Sequence, residues 1–283
     1  MSDDKKGTPK DSHYARLRRQ HRDQKMGLHG GKPVARRPGV PPGDSAPAGL
    51  VHLYGLHTVR AAMDNPARRI QYMRVTRNAM ERLGIADATA LPFEARIVDP
   101  KEIDRITGSD AVHQGVLIEA EPLRPKRLDE LADADLVLVL DQVTDPHNVG
   151  AIMRSAVAFG AGALVTTARH SPQESGVLAK AASGALEHVD HIEVRNLADA
   201  LGRIQEAGFQ TVGLDSDGPL LLEEALSGGK IALVLGSEGK GLRQKTRETV
   251  MVLARLDMPG AIRSLNVSNA AAVALYAARR HLF

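Results

Sequence analysis

The sequence predicts an α/β protein whose C-terminal half is a parallel-sheet domain. Three observations carry this. The runs Leu136 to Leu140 and Lys230 to Leu235 are strongly apolar without alternation, as strands covered on both faces require. From Leu131 onward strand patterns and helix patterns take turns, the signature of a sheet with helices on both sides. Between the first of those strands and the strand Ala163 to Thr167 lies an apolar segment, Val149 to Phe159, stopped by Gly160, which completes a βαβ unit.

Taken in order, residues 1–50 hold eleven Lys and Arg against five Asp, a net +6 that leaves −3 for the rest of a 283-residue chain of net charge +3. The segment is rich in Gly and Pro, as in Arg37-Pro38-Gly39-Val40-Pro41-Pro42-Gly43, and has no apolar period. It reads as a disordered basic arm suited to a polyanion, or as a solubilising tail.

Residues 51–122 read as a small α/β module. The patterns predict a helix over Thr58 to Met63, strands at Ile70 to Val75 and Ala95 to Val98, a helix at Lys101 to Thr107 and a strand at Gly115 to Ala120. His113-Gln114-Gly115 precedes that strand as a turn or a binding element. Residues 123–130, entered through Glu121-Pro122, form the expected linker.

Residues 131–283 form the second domain. Asn148 is placed to cap the helix after the first strand. Ser171-Pro172-Gln173-Glu174 has the form of a capping box for a helix reaching Ala182. Strands follow at Asp190 to Val194, Gln210 to Leu214 and Val250 to Arg255, with a helix at Leu197 to Ala207 and an Ala-rich helix from Asn266 to Arg280.

Composition removes several function classes. There is no cysteine, so neither disulfides nor thiolate metal sites arise. No apolar run approaches membrane-spanning length and no leader pattern is present, which points to a cytoplasmic protein. Trp is absent and aromatics are 3% of the chain, which argues against base recognition by many stacked rings. His188 and His191 lack a third ligand and read as a solvated pair, so no metal is expected. Asp215 and Asp217 before Gly218 read as a turn.

Three segments hold unusual polar residues. Arg154 sits in an otherwise apolar helix, so it has either a structural carboxylate partner or a chemical task. The loop Gly236-Ser237-Glu238-Gly239-Lys240-Gly241 fits neither the phosphate-loop nor the dinucleotide pattern; it is a tight turn or a place of close ligand approach, and Glu238 is the natural partner for Arg154. Ile262 to Asn269 crowds amide and hydroxyl side chains beyond what one helix cap needs.

In this order and spacing, Asp145-Pro146-His147-Asn148-Val149-Gly150-Ala151-Ile152 with Arg154 and Ser155, Leu235 to Gly241, and Ser264-Leu265-Asn266-Val267-Ser268 closely resemble the three motifs of the SpoU/TrmH family of RNA ribose 2′-O-methyltransferases, within the SPOUT superfamily. Residues 52–122, with Tyr54-Gly55 and His113-Gln114-Gly115, resemble the substrate-binding domain of the subgroup acting on 23S ribosomal RNA guanosine. The resemblance implies a C-terminal parallel sheet with a trefoil knot, S-adenosylmethionine held in the knot loops, and a homodimer that builds the active site. By position, it implies a catalytic group of Asn148, Arg154, Glu238, Ser264 and Asn266. It implies cofactor contacts at Gly236, Leu256 and Leu265, with Leu235, Gly239 and Met258 beside them. Where the family's third motif often begins Ile-Pro-Met, this chain has Leu256-Asp257-Met258. Transfer RNA is the alternative substrate, and a non-catalytic RNA-binding assembly factor the alternative of another class.

Overall fold

The computed structural model describes residues 46–131 and 134–283. The expected basic arm lies outside the described residues except for its last five, 46–50.

The first module runs β1 (Val51–Tyr54), α1 (Leu56–Asp64), β2 (Ile70–Val75), α2 (Arg77–Leu83), β3 (Glu94–Ile97), α3 (Pro100–Thr107) and β4 (Val116–Ala120). Its sheet has the order β1-β4-β2-β3, with β4 antiparallel to both neighbours and β2 parallel to β3. Helix α2 has no counterpart in the sequence expectations, because Arg77, Asn78, Glu81 and Arg82 hide its apolar period. Its ends are nonetheless specified: the Thr76 side chain accepts a hydrogen bond from the Ala79 amide, and Gly84 ends it in the left-handed conformation at φ 67°.

The second module runs β5 (Leu136–Asp141), α4 (Pro146–Ala158), β6 (Ala163–Thr167), α5 (Gly176–Ala182), β7 (Asp190–Val194), α6 (Leu197–Glu206), β8 (Gln210–Leu214), β9 (Leu220–Leu221), α7 (Leu222–Ala225), β10 (Ile231–Gly236), α8 (Gln244–Thr249), β11 (Val252–Arg255) and α9 (Val267–Leu282). Its seven strands lie in the order β7-β6-β5-β10-β8-β11-β9, every neighbouring pair parallel. β5 and β10 pair along their whole length, from Ile231 beside Leu136 to Gly236 beside Asp141. Their side chains alternate between two cores. Leu136, Leu138, Leu140, Ile231, Leu233 and Leu235 join one, which also holds Ile152 of α4 and Leu275 of α9. Val137, Val139, Ala232 and Val234 join the other, with Leu201 and Ile204 of α6. Each fully buried Leu or Val stabilises the fold by about 1.5–3 kcal/mol.

Two helix starts differ from expectation. Asp145, not Asn148, caps α4: its Oδ1 accepts from the His147 amide at 3.0 Å, and Pro146 fills the first turn. That frees the Asn148 side chain for another partner. Ser175, not Ser171, caps α5, accepting from the Leu178 amide at 3.3 Å. The expected capping box fails because Glu174 is used elsewhere, by Arg68 and by the Leu123 amide.

Those contacts belong to the seam between the modules. Arg68 is buried and bonds Glu187 and Glu174, while Asn65 also donates to Glu187. Thr58 donates to the Ala179 carbonyl of α5 at 3.2 Å. The turn at His113-Gln114-Gly115 is both turn and tie: Gln114 adopts φ 57°, and its Oε1 accepts from the Leu56 amide at 3.1 Å and from Lys180 Nζ at 2.9 Å. Any side chain at Gly176 would strike the Tyr54 ring and the His52 carbonyl, so the start of α5 packs directly on β1. Far from this seam, Arg279 of α9 donates to the carbonyls of Phe159 and Gly160 and pairs with Asp135.

His191 does not belong to a solvated pair. Its Nε2 lies 2.8 Å from Thr166 Oγ1, and burial lowers its pKa. Among the described residues no helix is long and apolar enough to cross a membrane, and no group of three or more His, Asp or Glu is placed to hold a metal.

Candidate active site

The C-terminal ends of β5, β10 and β11 lead into the segments 142–145, 237–243 and 256–266, which carry or adjoin the three motifs. Parallel strands put their connections to one kind of helix all at one sheet edge, which is where such folds bind ligands.

Asp141 organises the first two loops. It ends the apolar strand β5 fully buried, and an unpaired carboxylate there would be costly. Its Oδ1 accepts from Arg243 Nε at 2.6 Å and its Oδ2 from the Arg243 amide at 3.0 Å. The far end of the glycine loop is thereby fixed to the end of β5. This pair was not anticipated, although a charge closing an all-apolar strand is a signal that a partner must arrive.

The glycine loop folds on itself. The Gly241 amide donates to the Ser237 carbonyl at 2.9 Å, and Gly239 and Gly241 hold positive φ of 79° and 64°. A Cβ at Gly236 would overlap the Gly241 carbonyl. The absence of a side chain at Gly236 is therefore required by the loop's own backbone, before any ligand is considered. Leu235 is only 2% exposed, so its side chain belongs to the core and only its backbone faces the loop region.

The third loop reaches the first. Asn266 caps α9, its Oδ1 accepting from the Ser268 amide at 2.9 Å and the Ser268 hydroxyl at 2.6 Å. Its Nδ2 donates to Asn148 Oδ1 at 3.1 Å. Motif residues 118 positions apart are thus joined side chain to side chain. Leu256 packs partly buried against the core. Met258 is half-buried, while Ser264 and Leu265 are exposed at the loop's surface with Ile262 beside them in sequence.

Arg154 and Glu238 are both exposed, and neither enters an ion pair or hydrogen bond among the described residues; the expected pair does not form within one chain. The reason is helix geometry. Arg154 is six residues beyond Asn148 on α4, about 9 Å further along the axis, away from the glycine loop. It faces a cleft against the first module instead.

The residues fit S-adenosylmethionine. The glycine loop offers close backbone approach, Leu256, Met258 and Leu265 offer apolar surface for an adenosine, and the donor set is one of amides and hydroxyls.

Residues 135–276 match the model of the SpoU rRNA Methylase family, and residues 52–126 match that of the RNA 2′-O ribose methyltransferase substrate-binding domain. A relative from Ralstonia nicotianae, the 23S rRNA (guanosine-2′-O-)-methyltransferase RlmB, is 40% identical over 238 residues, covering 81% of this chain and 94% of the relative. An AdoMet-bound rRNA methyltransferase from Sinorhizobium meliloti superposes with a TM-score of 0.68 at 26% identity, over 83% of this chain and 88% of its own. The SpoU methyltransferase AviRb from Streptomyces viridochromogenes, in complex with AdoMet, shares the fold with a TM-score of 0.69 at 22% identity, over 83% of this chain and 91% of its own. With the loops of all three motifs at one sheet edge and both domain models matched in order, the chain belongs to the SpoU rRNA methylase family.

Proposed function

We propose that this protein transfers a methyl group from S-adenosylmethionine to the ribose 2′-hydroxyl of a guanosine in 23S ribosomal RNA, in the cytoplasm. The observation that carries the reading is the junction of Asn148 and Asn266, which brings the first and third motifs together.

The cofactor's sulfonium supplies a methyl group that needs little activation. The chain's task lies on the hydroxyl, which must lose its proton as it attacks. Asn148, oriented by Asn266, keeps its own Nδ2 available to hold a ribose oxygen. Arg154 carries a guanidinium that forms no ion pair among the described residues. Its charge is available to a backbone phosphate that takes the proton, or to the developing oxyanion. Ser264 and Glu238 lie exposed on the loops that flank this position and serve as further polar contacts to the substrate. Backbone at Gly236, Gly239, Leu235, Leu256 and Leu265, with the Met258 side chain, forms the cofactor cradle.

The catalytic group assigned here is incomplete in one chain, since Arg154 and Glu238 stand apart. A homodimer supplies the missing half. Helix α9 supports this: Val273 and Tyr276 stay 47% and 57% exposed on one face, an apolar surface a second copy would cover. The trefoil knot belongs to the same reading. After β10 and β11 the chain returns to the β5 end at Asn266, a course compatible with that crossing.

Mass-spectrometric mapping of ribose methylation in ribosomal and transfer RNA, from cells with and without the protein, tests the assignment. One 23S guanosine losing its methyl group is the expected result. Loss confined to transfer RNA would move the substrate, and unchanged methylation of both would leave an RNA-binding assembly factor.

A further inference from the structure

A cleft of about 330 Å³ separates α1 of the first module from the α4 and α5 layer of the second. His57, Arg60 and Asp64 line it from α1, at spacings of three and four that place them on one helix face. Arg154 lines it from α4, and His188 from the segment after α5. Apart from Val157, the remaining lining is Ala, Gly and Ser, so the space is not filled by long side chains. The volume is at the lower end of the ~300–1,000 Å³ typical of ligand clefts.

Charge and rigidity say what the cleft suits. Two guanidinium groups and two imidazoles face a single carboxylate. Neither Arg60 nor Arg154 is committed to an ion pair or hydrogen bond among the described residues, whereas Arg68, Arg243 and Arg279 are all paired. Unpaired surface arginines are ordinary. What sets these two apart is that they come from different modules and share one concave space. The two modules that carry them are held together in advance, because Thr58, between His57 and Arg60, is bonded to Ala179 of α5, and Asn65, which follows α1, is bonded to Glu187. A ligand need not bring the two modules together, so its binding cost is confined to ordering the side chains. Guanidinium groups recognise phosphate oxygens with paired N–H donors.

We propose that this cleft is a phosphodiester subsite for the substrate RNA, in which Arg60 holds the backbone next to the nucleotide presented to Arg154. Arg60 is then a positioning residue, and the reading rests on the function proposed above. Asp64 opposes the same phosphate and limits its affinity.

The test uses the full chain and a fluorescein-labelled transcript of the 23S segment that contains the methylated guanosine. Binding is read by anisotropy across a salt series, and turnover by methyl transfer. Arg60→Ala should raise KM for RNA by about tenfold, the loss of one charge-assisted contact. Its kcat and its affinity for S-adenosylmethionine should stay within about twofold of wild type. The slope of log affinity against log salt should fall by about 0.7–0.9, the value for one phosphate contact. Arg60→Lys should recover most of the binding, and Asp64→Asn should tighten it. Wild-type KM and salt slope in Arg60→Ala would overturn the proposal, as would weaker RNA binding in Asp64→Asn. Failure of the wild type to methylate the transcript would instead strike the proposed function, since the anisotropy readouts need no methyl transfer.

Discussion

Arg68 and Glu187 meet edge to edge across the seam between the modules, with Nη2 2.6 Å and Nε 3.1 Å from one carboxylate oxygen. Both side chains are essentially excluded from solvent, at 0% and 1% exposure. Such a pair gains little over an apolar replacement of both partners, yet losing one partner leaves the other charge stranded. Arg68→Met should therefore lower the unfolding free energy by about 3–5 kcal/mol, read by urea denaturation. A loss below about 1 kcal/mol would mean that water or another cation satisfies Glu187.

Glu174, on the same guanidinium, behaves differently. Burial pushes its carboxyl up, more than Arg68 and the Leu123 amide pull it down. A raised folded value means that the folded protein favours the protonated form. Its contribution is complete below the ordinary carboxylate value of 4.5 and is lost as pH rises through the raised one. Glu174→Gln mimics the protonated form, so its stability relative to wild type should improve as pH climbs through that window. Denaturation midpoints across a pH series check this; a difference that shrinks as pH rises would show that Arg68 dominates.

At Gly236 the obstacle to a side chain is Gly241, so even Gly236→Ala should distort the loop. The expected outcome is loss of S-adenosylmethionine binding by calorimetry, together with destabilisation of about 1–3 kcal/mol from overpacking. Wild-type affinity in the alanine variant would remove this loop from the cofactor site.

Arg154→Ala should fold normally, within about 0.5 kcal/mol of wild type, because the side chain is exposed and unpaired. Methyl transfer in single-turnover conditions should fall by at least about a hundredfold while cofactor affinity is kept. Retained turnover would show that Arg154 serves RNA binding alone.

A shared site makes a sharper claim about assembly. Tyr276→Glu should yield monomers by light scattering and abolish turnover without unfolding the chain. Mixing and reassembling Arg154→Ala with Glu238→Ala should restore part of the activity that each lacks, since some mixed dimers carry one intact pair. No recovery despite proven mixed dimers would place both residues' tasks within one subunit.

Much of the second module was legible because its strands are apolar runs closed by turn residues. Ala163–Thr167, Asp190–Val194 and Gln210–Leu214 match their expected bounds end to end. The errors came where a distant partner claims a local signal. Glu174 looks like the last member of a capping box until Arg68, 106 residues away, is brought beside it. Asn148 looks like a cap until Asn266 takes its side chain and Asp145 does the capping. The motif residues themselves were readable, and two of them do meet. The separation of Arg154 from Glu238 was not readable, because a sequence names compatible charges without giving the distance between them.

Helix α9 is nailed at two places, through Asn266 to Asn148 and through Arg279 to Asp135 and the Phe159 and Gly160 carbonyls. It thus acts as a ruler of set length. Removing one residue between the nails would rotate one end against the other by about 100° and pull it in by about 1.5 Å, so both could not be satisfied at once. Insertions and deletions should therefore be excluded from Val267 to Ala278.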